Sequence, residues 1–117
     1  MIKLELTDEQ ANIVAKACEF YARVKMGQFN EIIWHTLDMG GINNDYCERR
    51  DNAEAFLLDA RKFIYPELHG IGHSYGMGKF EDADKAFDVY QVIRYEMGDK
   101  REPFSYYDLP KCKRYNG

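Results

Sequence analysis

Glycine and proline cut this chain into four stretches of helical periodicity, and that punctuation limits what it can fold into. Breaks fall at Gly27, at Gly40-Gly41, across the segment from Pro66 to Gly78, and at Gly98. Glycine ends helices by adopting left-handed backbone, and proline excludes helical geometry from the residue before it. Between the breaks, apolar residues recur at the spacing of a helix face rather than in the alternation of a sheet. The expected class is therefore mainly α: a compact four-helix domain with a short N-terminal strand and an ordered, extended C-terminal tail. At 117 residues, one domain over 1–117 is expected, long enough to bury a core without staples.

The first helix opens at Thr7-Asp8-Glu9-Gln10, the pattern of a capping box, in which threonine and glutamine satisfy each other's free backbone donors. It runs from residue 8 to about 26. Asn12, Lys16, Glu19 and Arg23 form a polar stripe, and Ile13, Val14, Ala17, Cys18, Phe20, Tyr21 and Val24 cover the rest, which predicts a central helix packed on two sides. A second helix is expected from Gln28 to about Asp38, stopped by Gly40-Gly41, with Met39 through Asn44 as a flexible connection. Asp45 and Glu48 can cap the third, or Asp51 can start it later, and it ends before Pro66. Its predicted buried stripe is Ala53, Phe56, Leu57, Ala60, Phe63 and Ile64. The fourth spans Glu81 to Met97 with Ala86, Val89, Tyr90, Ile93 and Met97 inward. Ile2, Leu4 and Leu6 alternate with charged residues, so residues 2–6 read as a strand that pairs either with the tail or with a second copy of the chain. Two prolines deny a long helix to the tail after Gly98.

Hydrophobic residues make up 45% and charged residues 31%, within the globular range, so disorder is a poor fit. No apolar run approaches the length that spans a bilayer, and the start MIKLEL lacks the pattern of a secretory signal, so no membrane partner and a cytoplasmic location are expected. The formal net charge of −4 has the wrong sign for a general nucleic-acid binder. Cys18, Cys47 and Cys112 are odd in number and widely spaced, which argues against a disulfide framework.

The segment 66–80, PELHGIGHSYGMGKF, holds four of the nine glycines. It lacks the lysine and hydroxyl register of a P-loop, and Glu81, Asp82 and Asp84 would repel an anion at the following helix start. His69 and His73 would share one face of a helix, but the glycines between them break it, and no metal or other cofactor is expected. Ser74 beside His73 lacks the strand-turn-helix context of an activated serine. No catalytic set emerges, and the chain is expected not to be an enzyme.

Tyrosine is the compositional departure: seven of nine lie in residues 61–117. Tyrosine and arginine favour interfaces, each joining an apolar body to a polar tip. The candidate binding residues are therefore His73, Tyr75, Arg94, Tyr95, Arg101, Tyr106 and Tyr107. Arg94, one turn after Tyr90, is expected to stack on it and leave its guanidinium free for a carboxylate or phosphate.

Leu6-Thr7-Asp8-Glu9-Gln10 with Gly27-Gln28-Phe29, then Tyr75-Gly76-Met77-Gly78, then Ala86-Phe87-Asp88-Val89-Tyr90-Gln91-Val92-Ile93-Arg94 resembles a group of small proteins encoded by tailed bacteriophages, over about half the chain. Residues 38–50 and the tail have no counterpart in that pattern. The resemblance implies an accessory protein in the cytoplasm of an infected bacterium, which binds and inhibits a host or anti-phage defence protein, for instance a CRISPR nuclease. The alternative is a binder that sequesters a nucleotide signal on Arg94, Tyr75 and His73, in a pocket that a homodimer could form between its subunits.

Overall fold

The computed structural model describes residues 1–38 and 45–115. Four helices follow one another: α1 (Asp8–Lys25), α2 (Glu31–Thr36), α3 (Tyr46–Ile64) and α4 (Glu81–Glu96). The described residues contain no strand, and no helix among them is long and apolar enough to cross a membrane. The chain divides into two compact units, one of Met1–Ala22 with Met77–Gly117, the other of Arg23–Gly76.

In the first unit, the capping box forms as its residues dictate. The Gln10 N–H donates to Thr7 Oγ1 at 3.1 Å, and the Thr7 N–H donates to Gln10 Oε1 at 3.0 Å. The expected strand over residues 2–6 does not form. Ile2 is 92% exposed and Leu4 is also exposed, because alternation alone supplies no partner for a strand's backbone groups. Nor is α1 enclosed on two sides: Ala22 is its only buried residue, and Ile13 and Ala17 face outward. Tyr21 is exposed too, with its hydroxyl donating to Asp82 Oδ2 at 2.6 Å.

Helix α4 turns an unexpected face inward. Among the predicted residues only Ile93 is buried, while Ala86, Val89, Tyr90 and Met97 are half-buried. The buried set instead includes Asp84, Asp88 and Gln91, whose i, i+4, i+7 spacing is one stripe. Burying such groups is costly unless each finds a partner, and the stripe finds its partners in the flanking chain. Both Asp84 oxygens accept the Gly78 N–H, at 3.1 and 3.0 Å. Asp88 Oδ2 accepts the Ser105 hydroxyl at 2.5 Å, and Ser105 Oγ in turn accepts the Tyr107 N–H at 3.0 Å. The Gln91 amide closes a two-way pair with the backbone of Phe104: Nε2 donates to its carbonyl at 2.8 Å, and Oε1 accepts its N–H at 2.9 Å. Further on, the Arg114 N–H donates to Glu96 Oε1 at 2.9 Å, and its guanidinium pairs with Asp8 at 2.6 Å. The tail is thus neither helix nor strand, but a wrap held by polar side chains.

The second unit begins where α1 stops. Gly27 has φ +94°, and a Cβ there would lie 2.5 Å from Leu68 Cδ1, so both the turn and the packing call for glycine. Helix α2 is shorter than predicted, since residues 28–30 complete the turn before it. The proposed stop at Gly40-Gly41 and the connection from Met39 to Asn44 lie outside the described residues. Helix α3 starts at the first of the expected positions and ends before Pro66. Its orientation departs from the prediction, of whose stripe only Ala53 and Leu57 are even half-buried. Phe56 is 76% exposed and Phe63 89% exposed, and Ala60 and Ile64 also face out, whereas Tyr46 and Arg61 are its buried residues.

Candidate functional site

Arg61 organises the second unit. Only 4% exposed, it donates from Nη1 to the carbonyls of His73 at 2.9 Å and Gly27 at 3.3 Å, and from Nη2 to the carbonyl of Gly70. One side chain of α3 therefore ties the glycine-rich loop to the turn at Gly27. Aromatic contacts support the same region. The Tyr65 ring meets Tyr75 edge-on at 5.4 Å, the Tyr65 hydroxyl donates to the Lys25 carbonyl at 2.7 Å, and the Tyr75 N–H donates to the Met26 carbonyl at 2.8 Å.

Against this frame opens a cavity of about 380 Å³. Its lining is mixed and more polar than apolar: Phe29, Trp34, Leu57 and Ile71 stand beside Gln28, Asn30, Arg61 and Ser74. Glu31 also lines it, with its carboxylate 3.5 Å from His35 Nε2 and 4.0 Å from Arg23 Nε.

The sequence-predicted binding residues fall in both units. In the second, His73 is exposed, and its Nδ1 accepts the His69 N–H at 2.9 Å. The two imidazoles stack with centroids 6.4 Å apart, and no cluster of three or more metal-ligating His, Cys, Asp or Glu side chains occurs among the described residues. Tyr75 is half-buried against Tyr65.

In the first unit, the Arg94 guanidinium lies 5.0 Å over the Tyr90 ring, as the spacing predicts. It does not stand free, because its Nε is 3.6 Å from Asp99 Oδ2. Arg101 holds the same carboxylate at 2.8 Å and 3.1 Å through its guanidinium, and at 2.9 Å through its N–H. These hydrogen bonds from Arg101, helped by the charge of Arg94, hold the Asp99 carboxyl well below the usual range. Tyr95 is exposed on α4, and Tyr106 is exposed with Phe104 edge-on at 5.4 Å. Lys85 lies 5.3 Å over the Tyr107 ring, whose hydroxyl is pushed up by burial and by the carboxylates of Glu81 and Asp84.

Asp88 is 2% exposed, and burial followed by the neighbouring Asp84 charge pushes its carboxyl up, against the Ser105 hydrogen bond. Its Oδ1 has no hydrogen-bond partner among the described residues. Cys18 is half-buried and its thiol is pushed up by that burial, while Cys47 and Cys112 are exposed; none of the three is in a disulfide.

Sequence reasoning missed Arg61 and Trp34, and it placed Phe56 and Phe63 in the core. A lone arginine within a helix pattern carries no mark of burial, and an apolar stripe reads alike whether or not a neighbour covers it. No known protein family, curated protein or solved structure matches the chain.

Proposed function

We propose that this chain is a non-enzymatic binding protein whose partner is another protein, seated on the outward face of α3. The observation that carries the reading is the exposure of Phe56 and Phe63, with Ala60 between them and Ile64 beside them. Contiguous apolar surface of this kind marks interaction sites on folded proteins. Covering two phenylalanines and an isoleucine would contribute about 5–8 kcal/mol before the cost of association, enough to anchor an interface. Ala60 leaves room for close approach between the two rings.

Other features support the non-enzymatic part. His73 Nδ1 accepts the His69 N–H, which puts the neutral ring's proton on Nε2 and leaves neither nitrogen free to take a proton from Ser74, and the α4 carboxylates Asp84 and Asp88 hold the flanking chain. The likeness of three sequence blocks to small tailed-phage proteins supplies the setting: an infected bacterium, where the partner is a host or anti-phage defence protein that the chain inhibits.

The test compares wild type with a Phe56→Asp, Phe63→Asp double variant in affinity capture from infected cells. Wild type should retain one stoichiometric protein that the variant loses. Because exposed positions contribute within about 0.5 kcal/mol each, the variant should melt close to wild type. Equal capture by both proteins, or collapse of the variant's helical signal, would overturn the reading.

A further inference from the structure

Arg61 is a buried cation whose hydrogen bonds all go to neutral carbonyls, those of Gly27, Gly70 and His73. No carboxylate pairs with it among the described residues. A guanidinium has five N–H donors, so two remain without an acceptor among the described residues, and the unpaired Nε is not sealed from solvent. A buried charge without a counter-charge is costly, and a bound anion would supply that counter-charge. Glu31 shares the cavity, but its carboxylate faces His35 and Arg23.

The remaining walls define what kind of anion fits. Phe29, Trp34, Leu57 and Ile71 offer aromatic and aliphatic surface, and Ser74 offers a hydroxyl. At about 380 Å³ the space lies toward the small end of ligand pockets. A bare inorganic ion would leave the aromatic and aliphatic part of the lining wet, and a neutral aromatic would leave the charge unmatched. We propose that this cavity is a binding site for a small organic oxyanion, its carboxylate or phosphate head on the free Arg61 N–H groups and its flat apolar body against Phe29, Trp34 and Leu57. The planar guanidinium fork suits two-oxygen recognition of such a head. The site is independent of the α3 outer face and stands whether or not a protein docks there.

Trp34, the only tryptophan in the chain, lines the cavity and is 63% exposed, so its emission responds to a ligand that covers it there. The probes are phenyl phosphate, benzoate, inorganic phosphate and benzyl alcohol. Phenyl phosphate or benzoate should change Trp34 emission saturably and raise the melting temperature, since a ligand that binds only the folded state stabilises it. Whichever binds more tightly identifies the head group. Inorganic phosphate and benzyl alcohol should each bind at least about tenfold more weakly, as each lacks half of the recognition. Arg61→Lys keeps the charge but loses the fork, and should weaken binding by roughly tenfold or more. Because Arg61 also ties the loop, a second variant is Gly72→Leu. Gly72 lines the cavity and a Cβ there meets nothing within 4 Å, so a leucine can be set at the cavity wall without a clash. It should retain the wild-type melting temperature and lose the response. Absence of a saturable change with both aromatic anions at millimolar concentration, or an unaltered response in Gly72→Leu, would overturn the proposal.

Discussion

Replacing Gln91 with methionine removes both hydrogen bonds by which α4 holds the backbone of Phe104 while nearly conserving side-chain volume. The Phe104 carbonyl and N–H, now paired at 2.8 and 2.9 Å, both lose their partner. Each net hydrogen bond contributes about 0.5–1.5 kcal/mol, and a group left buried and unpaired costs more, so the loss should be roughly 1.5–3 kcal/mol. For a chain of this length, that corresponds to a fall of about 5–15 °C in melting temperature by far-UV circular dichroism. Amide exchange should localise the damage, with Tyr107, whose N–H rests on Ser105 Oγ, losing protection first. Gln91→Glu sharpens the test. It keeps an acceptor for the Phe104 N–H but sets a carboxylate oxygen against the Phe104 carbonyl, so it should be unstable at neutral pH and recover as acid supplies a donor proton. A Gln91→Met variant melting within about 1 °C of wild type would refute the view that this amide latches the tail.

Asp88→Asn should be at least as stable as wild type at neutral pH, with the gap narrowing on acidification. Burial raises the Asp88 carboxyl in the folded state, so the folded chain takes up that proton before the unfolded one does. Wild type therefore gains stability as pH falls from the raised value toward the ordinary 3.8, and the asparagine variant does not. Asp99 acts in the opposite sense, its contribution being lost only as pH falls below 3.8 toward its depressed value. Melting curves of both proteins from neutral pH to about pH 4 check the sign, and parallel profiles would contradict it. Gly27→Ala combines a strained backbone with a methyl 2.5 Å from Leu68 Cδ1 and should cost about 2–4 kcal/mol in urea unfolding, against an unchanged midpoint if the turn relaxes freely.

What the sequence made legible was chemistry confined to neighbours along the chain. The Thr7–Gln10 box, the left-handed terminators Gly27 and Gly98, and the limit set by Pro66 each depend on a few adjacent residues, and each forms. What stayed hidden depends on distant partners. Asp84 is buried because Gly78 offers it an N–H, and Asp88 and Gln91 are buried because Ser105 and Phe104 come back from 17 and 13 residues away. No periodicity anticipates such returns, so the inward face of α4 was assigned to its apolar residues. The same blindness misassigned the inward face of α3, where Arg61 found three carbonyls and turned inward, leaving Phe56 and Phe63 outside. Of the candidate residues, Arg94 and Tyr90 stack as their spacing demands, but the Asp99 that occupies Arg94 was not foreseen.

Hydroxyl-radical footprinting of Phe56 and Phe63 bears most directly on the claim that α3 presents an interaction face. In the isolated protein both rings should be modified about as readily as those of an unfolded control, and both should become protected when the captured partner is bound. Protection in the isolated monomer, or modification unchanged in the complex, would contradict it.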